Sequence, residues 1–372
     1  MSKECKGAVQ MNDVDVKAIR EKLVQALCRK FDDSNGIAVY GAGDTAERWF
    51  APFLEGDVVP DCFIDDTPGK VGTFLYDKPV ISFEEAHTKC KSFLILLASI
   101  VPKTREIMTK SLQKDPIEGA ELCQEWEEYV FCKHADEVLT VFDMLEDELS
   151  KATYANMIMS RMGKAKQSQV FVCGNQYFAV PELARKNVHE VFVDCGAYVG
   201  DTIEQFLMSR SGLLKKVVAF EPFERSFKAL KARLERLRQE WALEETQIEL
   251  VQAGVGEKTY ATELKMSEYA DGQALSGESA HGDIPVITLD NYFAEQPITF
   301  LKADVEGYEW KMLHGAQRVI RRDRPKLAIC AYHTPFDMYR LMLWIKSICP
   351  DYKFAVRQHY CDILETVLYA YI

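Results

Sequence analysis

A glycine turn flanked by carboxylates lies near the middle of the chain. VFVDCGAYVGD (191–201) spaces Asp194, Gly196 and Gly200 as D-x-G-x-x-x-G, between an apolar run and a helical pattern. Glycines let the backbone turn sharply and approach a ligand, and the free N–H groups that begin a helix attract polar groups. The pattern predicts a turn that binds a nucleoside cofactor through the amino-acid moiety of that cofactor. Asp194 is expected near the ammonium group of this moiety. Three neighbours are assigned to the same site: Ala197, Tyr198 and Asp201.

Two further predicted strand ends carry residues that suit a nucleoside. In AFEP (219–222), Glu221 comes before Pro222, 27 residues beyond Asp194. A carboxylate at a strand end can accept hydrogen bonds from both ribose hydroxyls. The alternative is a surface glutamate before a proline that starts a helix. The next strand end, QAGVGE (252–257), offers small residues to surround an adenine, namely Ala253 and Gly254.

A fourth strand end, LKADVEGYE (301–309), combines a lysine with three carboxylates. Ligands of open α/β sheets bind beyond the carboxyl ends of the strands, so Asp304 is expected at both the cofactor and the reacting centre. Asp304 could orient an acceptor, take its proton or ligate a divalent cation, although no metal site is predicted. Glu306 is a catalytic candidate or a helix cap. His333, at the next strand end, is the general-base candidate, with a structural histidine as the alternative.

Strands and helices alternate throughout the second half of the chain. Apolar runs separated by amphipathic helical patterns predict a parallel sheet with helices packed on it. The last two apolar runs lie too close together for a crossover helix and are expected to pair antiparallel. The seven predicted strands are 190–197, 216–222, 248–256, 298–307, 326–333, 352–358 and 363–372.

These motifs resemble the FkbM family of methyltransferases over residues 170–372. The resemblance rests on DCGAYVGDTIEQF, AFEPFERSFKAL, FLKADVEGYEWKMLHGAQRVI and the P-K-L-x-I-x-x-Y-H strand. It implies S-adenosylmethionine as methyl donor and a hydroxyl acceptor on a sugar, glycan or secondary metabolite. It also implies that Asp194, Gly196 and Gly200 form the cofactor turn, that Glu221 binds the ribose, and that Asp304 stands beside the methyl group. Five parallel strands plus a hairpin likewise match the seven-stranded, Rossmann-like sheet of class I methyltransferases.

The first half predicts a smaller Rossmann-like α/β domain. GAGDTA (41–46) is a G-x-G-x-x-A turn between a strand and a helical pattern, and Asp65 and Asp66 follow the next strand. This resembles a module at the N-terminus of some sugar-modifying enzymes, which suggests a nucleotide or nucleotide-sugar ligand. A ligand-free docking or dimerisation role is the alternative. The predicted organisation is an N-terminal helix (1–33), this domain (34–115), a helical connection (116–168) and the methyltransferase domain (169–372).

Composition restricts the partners of the chain. A net charge of −12 argues against a large non-specific nucleic-acid footprint. The 11 cysteines form no C-x-x-C pair, which fits reduced thiols. No apolar signal core and no membrane-length apolar run is present, so we expect a cytoplasmic protein without a membrane partner. The oligomeric state, including a homodimer, stays open.

The function predicted from these observations is S-adenosylmethionine-dependent O-methylation by direct displacement. Two other classes compete with it. One is an NAD-dependent oxidoreductase or nucleotide-sugar-modifying enzyme that uses the N-terminal domain; the other is a binding protein that keeps the fold without turnover. The sharper nucleoside-binding motifs lie in the second half, which favours the methyltransferase.

Overall fold

The computed structural model describes residues 15–43, 45–46, 58–99, 101–165, 172–266, 273–278, 282–361 and 364–372. The described chain forms two compact units. Of the described residues, those within 17–139 and 155–165 form the N-terminal unit, and those within 15–16, 140–154 and 172–372 form the C-terminal unit. Within the described ranges, no helix is long and apolar enough to cross a membrane.

The N-terminal unit is built on a six-stranded sheet in the order β3-β4-β2-β1-β5-β6, parallel except for the β3–β4 pair. Its interior strand β5 is buried along its whole length, as expected for a strand covered on both faces. The strands are β1 Ile37–Tyr40, β2 Cys62–Ile64, β3 Phe74–Leu75, β4 Lys78–Ile81, β5 Leu94–Leu97 and β6 Glu121–Cys123.

Six helices lie in the described part of the first 165 residues. They are α1 Val16–Leu27, α2 Phe83–Lys89, α3 Pro102–Lys114, α4 Trp126–Lys133, α5 Ala135–Met144 and α6 Glu148–Arg161. Helix α2 begins with a capping box between Ser82 and Glu85, which satisfies two backbone N–H groups. The helical pattern that follows GAGDTA falls largely outside the described residues. The N-terminal domain was predicted to end at residue 115, which leaves out β6 of the same sheet. This strand has three residues, too few to show a periodic pattern in the sequence.

The C-terminal unit contains a seven-stranded sheet in the order β16-β17-β15-β14-β7-β8-β9. Five strands are parallel, and β17 runs antiparallel to both β15 and β16. The predicted mostly parallel, seven-stranded α/β fold is confirmed. The strands are β7 Val191–Cys195, β8 Lys216–Phe220, β9 Ile248–Val251, β14 Phe300–Ala303, β15 Lys326–Cys330, β16 Lys353–Gln358 and β17 Thr366–Tyr371.

A second, four-stranded sheet lies between β9 and β14 in the sequence, in the order β10-β13-β11-β12. Sequence analysis did not predict it, because its segment is rich in glycine, serine and alanine and lacks a clear period. The strands are β10 Gly254–Val255, β11 Tyr260–Met266, β12 Gln273–Glu278 and β13 Ile284–Ile287. The helices of this half are α7 Pro181–Ala184, α8 Asp201–Arg210, α9 Glu224–Glu240, α10 Leu289–Tyr292, α11 Glu309–His314, α12 Gln317–Asp323 and α13 Asp337–Ile348.

An aromatic cluster anchors the centre of the larger sheet. Phe192 on β7 stacks on Phe206 of α8 with ring centroids 4.4 Å apart, and Phe300 on β14 meets Phe192 edge-on at 5.2 Å. Each buried phenylalanine stabilises the fold by roughly 1.5–3 kcal/mol. The cluster therefore holds β7, β14 and α8 together, and these are the elements that carry the predicted site.

Candidate functional site

The glycine turn directly follows β7. Gly196 has φ +75°, and a Cβ at this position would lie 1.7 Å from the Asp304 carbonyl oxygen, so only glycine allows the β7 and β14 strand ends to approach this closely. Gly200 has φ +82° and is the N-cap of α8. Asp201, the exposed first residue of α8, follows it. The structure thus contains the predicted strand, tight turn and helix N-terminus.

Asp194 lies below this turn and is completely buried. Its carboxylate is 2.9 Å from Nζ of Lys302, a buried lysine on the neighbouring strand β14. Lys302 also donates to the Gly196 carbonyl oxygen at 2.7 Å. Burial raises the pKa of Asp194 to about 6, even though Lys302 opposes this shift. Oδ2 of Asp194 has no hydrogen-bond partner in the described part of the chain. Lys302 thus links the Asp194 carboxylate to the backbone of the turn.

Glu221 directly follows β8, and its side chain contacts the same turn. Its Oε2 accepts the Tyr198 N–H at 2.8 Å, and its Oε1 accepts the Phe223 N–H at 2.9 Å. Burial raises the pKa of this carboxyl to about 7. Because each carboxylate oxygen can accept more than one hydrogen bond, the backbone contacts position the group without exhausting it. Pro222, which follows it, is half-buried.

Ala253 and Gly254 lie at the next strand end. Ala253 is buried and donates its N–H to the Val251 carbonyl oxygen at 3.0 Å, directly after β9. Gly254 begins β10, which pairs in parallel with β13. Since β14, β7, β8 and β9 are consecutive neighbours in the sheet, the four strand ends line one edge.

Asp304 follows β14 and receives hydrogen bonds from two tyrosines. Tyr177 donates to its Oδ2 at 2.9 Å, and Tyr332 donates to its Oδ1 at 3.3 Å. Although burial opposes ionisation, Lys302 and His333 hold the pKa of Asp304 below its usual value. The carboxylate is therefore ionised at neutral pH. No site role was predicted for Tyr177, because it lies in an irregular segment without a periodic pattern. Its backbone has an unusual φ of +67°.

His333 follows β15 and faces three carboxylates. Its Nδ1 lies 3.1 Å from Glu309 Oε1, and its Nε2 lies 3.5 Å from Asp304 Oδ1 and 3.8 Å from Glu306 Oε2. Burial opposes the charged ring, but Glu309 outweighs this effect and raises the pKa of His333 to about 10. Glu306 lies at the exposed side of this cluster, with 57% of its side chain exposed. Glu309 is completely buried at the start of α11, and sequence analysis gave it no role.

No role was predicted for Lys302 either, although its position in an apolar run could have indicated one. A lysine within the apolar run FLKA is almost never fully buried unless it is paired. Such a residue implies a buried carboxylate on a neighbouring strand, and Asp194 on β7 is that partner. A buried charge pair directly under a glycine turn shapes a ligand-binding edge.

The glycine turn of the N-terminal unit is arranged differently. Oδ2 of Asp65 accepts the Ala42 N–H at 2.9 Å, and Lys70 donates to the Ala42 carbonyl oxygen at 2.8 Å. Asp66 accepts the N–H of Phe83 at 2.9 Å. Both acidic residues hold backbone groups of their own unit, as Glu221 does in the C-terminal unit, and Asp65 also lies 3.4 Å from Nζ of Lys70.

Comparison with known proteins finds a match to a family model in the C-terminal half. Residues 194–354 match the model of the methyltransferase FkbM domain. A solved structure of the methyltransferase FkbM from Methylobacillus flagellatus KT is 21% identical, with a TM-score of 0.56 over 98% of this chain and 100% of that chain. A putative methyltransferase from Streptococcus mutans in complex with SAH is 16% identical, with a TM-score of 0.32 over 50% of this chain and 90% of that one. No curated protein matches. The fold is that of class I methyltransferases.

Proposed function

With residues 194–354 forming an FkbM methyltransferase domain, we propose that the protein transfers a methyl group from S-adenosylmethionine to a hydroxyl oxygen. The observation that carries the proposal is the convergence of the glycine turn, Glu221, Ala253 and Asp304 at the carboxyl ends of four adjacent strands. Ligands of open α/β sheets bind at this edge. The acceptor we propose is a small molecule or glycan, with a sugar or secondary-metabolite hydroxyl as its reacting group.

The residues at this edge fit the methyl donor. At Gly196 the backbone of the turn packs directly against the backbone of Asp304, and no side chain projects there. Asp194 offers an unpartnered, buried carboxylate oxygen toward an ammonium group, and Glu221 offers a second carboxylate toward ribose hydroxyls. When bound, S-adenosylmethionine supplies an electrophilic methyl group on a sulfonium.

On this proposal, Asp304 positions the acceptor. A neutral alcohol is a weak nucleophile, so its proton has to be held or removed as the oxygen attacks. The ionised Asp304 carboxylate can accept a hydrogen bond from the hydroxyl, while Tyr177 and Tyr332 hold this carboxylate in place. His333 and Glu306 lie beside it, and because the pKa of His333 is raised to about 10, this ring is a proton donor and not a general base at neutral pH. Holding the two reactants in line supplies much of the rate acceleration.

The oxidoreductase alternative places the chemistry in the N-terminal unit. Nζ of Lys70 lies 3.4 Å from Asp65, and this ion pair argues against it, because a ribose would have to compete with the lysine. A binding protein without turnover is the other alternative. It would bind S-adenosylhomocysteine and leave every acceptor unmethylated in a labelled-donor screen of glycans and nucleotide sugars.

The direct test is calorimetric titration with S-adenosylhomocysteine. We expect the wild-type chain to bind it and Glu221→Gln to bind at least about tenfold more weakly, because the variant loses a charged acceptor, worth roughly 1.5–3 kcal/mol. Glu224→Gln, three residues later and exposed on α9, is the matched control and should bind like wild type. Equal affinity in both variants would remove Glu221 from the site, and binding of NADH instead would favour the oxidoreductase.

A further inference from the structure

We propose that Asp304, Glu309 and His333 form a binding site for a divalent transition-metal cation of the Mn²⁺ type. The inference deepens the proposed function, because the cation would lie where the acceptor hydroxyl is expected. Each of the three residues offers one ligand atom, and these atoms lie within 4.8 Å of one another. This spacing suits coordination of a single ion by two carboxylates and one imidazole.

The ligands are held by rigid elements. Asp304 follows β14, His333 follows β15, and the two strands pair in parallel up to Ala303 and Ile329. Glu309 is the first residue of α11, and its Oε1 accepts the Val305 N–H at 2.8 Å. Side chains fixed in this way need little reorganisation to receive an ion, which is the main requirement for a specific site.

The described residues satisfy the buried polar atoms of the cluster only in part. Both ring nitrogens of His333 are buried against carboxylates, with Nδ1 3.1 Å from Glu309 Oε1 and Nε2 3.5 Å from Asp304 Oδ1. Oε2 of Glu309 is buried without a partner in the described ranges, on a side chain that is completely inaccessible. Most buried polar atoms in native proteins are satisfied, so the unpartnered Oε2 of Glu309 in this cluster points to a missing ligand.

The charges of the cluster favour a cation. Asp304, Glu306 and Glu309 surround one imidazole. Lys302, which pairs with Asp194 and donates to the Gly196 carbonyl oxygen, offsets only part of this negative charge. A divalent ion would balance this excess of negative charge more fully than a single proton on His333.

The donor set indicates the kind of ion. Carboxylates suit Mg²⁺, Ca²⁺ and Mn²⁺, whereas imidazole suits transition metals, so Mn²⁺ satisfies both donor types. Three protein ligands leave coordination positions open for an oxygen of the acceptor. A metal in such a position lowers the pKa of a bound hydroxyl and so helps to form the nucleophile.

The test is Mn²⁺ binding to the full-length protein after dialysis against a chelator. Loss of the sharp paramagnetic resonance signal of aqueous Mn²⁺, with calorimetry in parallel, should show one site per chain. We expect His333→Gln to weaken binding roughly tenfold or more. Glu295→Gln removes an exposed carboxylate of the same unit and should bind like wild type.

Two outcomes would overturn the site. The first is absence of Mn²⁺ binding by wild-type protein, which would identify His333 as an ion-paired imidazolium. The second is unchanged Mn²⁺ affinity in His333→Gln. S-adenosylhomocysteine affinity, measured on the same samples, reports folding of the variant and separates the two proposals. Mn²⁺ binding without binding of this nucleoside would overturn the methyltransferase function alone, and the converse would overturn the metal site alone.

Discussion

Glu221 illustrates what a single residue contributes at this site. The sequence places a carboxylate at the end of β8, and the structure adds that both of its oxygens already hold backbone N–H groups, those of Tyr198 and Phe223. Burial raises the pKa of Glu221 to about 7, with the charges of Lys302 and Asp194 acting in opposite directions. The group is therefore poised to change its protonation near neutral pH.

The affinity for S-adenosylhomocysteine should consequently depend on pH. Ribose hydroxyls donate hydrogen bonds, so they bind the ionised carboxylate, which predominates above the pKa of about 7 and is lost below it. We expect affinity to rise several-fold from about pH 6 to about pH 7.5. Calorimetry across this range measures the effect. Glu221→Gln should remove most of this rise and leave the smaller part that comes from ionisation of Asp194, whose pKa is about 6. An equal rise in that variant would assign it to another group, such as the amino group of the ligand.

Among the elements, the edge strand β16 shows how the sheet is protected at the end remote from the site. Glu146 donates its N–H to the Phe354 carbonyl oxygen at 3.0 Å, and Val356 donates its N–H to Ser150 Oγ at 3.0 Å. Ser150 is buried near the start of α6 and also accepts from Arg357 at 2.6 Å. An exposed strand edge invites association with other chains, so these contacts cover the edge.

Ser150→Ala should destabilise the C-terminal unit without changing its binding site. The variant leaves the buried Val356 N–H without its acceptor, at a cost of about 1–3 kcal/mol. The midpoint of thermal unfolding should fall, while S-adenosylhomocysteine affinity should stay at the wild-type value. Ser347→Ala, on the exposed face of α13, is the matched control. Equal unfolding midpoints in the two variants would show that β16 does not depend on this serine.

For the whole molecule, the open question is which unit binds the nucleoside. Both units carry a glycine turn after a parallel strand, but only in the C-terminal unit do the described residues join that turn to a buried ion pair, Asp194 with Lys302. In the N-terminal unit, Lys70 and Asp65 contact the turn itself. The predicted domain boundaries and a nucleotide ligand of the N-terminal unit remain proposals.

Hydrogen exchange should locate the ligand within the full chain. With S-adenosylhomocysteine, we expect slower deuterium uptake in peptides covering 195–201 and 220–224, because binding would restrain the turn and the Glu221 loop. Peptides covering 62–66 of the N-terminal unit should be unchanged, and NADH should protect neither set. Protection confined to the N-terminal peptides would instead assign nucleotide binding to that unit. Glu221→Gln under the same conditions should lose the protection.

The sequence by itself determined the α/β class, the parallel strands and the glycine turn, because apolar periodicity and glycine positions are local properties. It also identified Asp194, Glu221, Asp304 and His333 as residues at strand ends. Only the tertiary structure decided the insertion of β17 between β15 and β16 and the pairing of Asp194 with Lys302. It also brought Glu309 and Tyr177 to the Asp304–His333 cluster. These contacts join residues far apart in the chain, and their geometry depends on the packing of several elements at once.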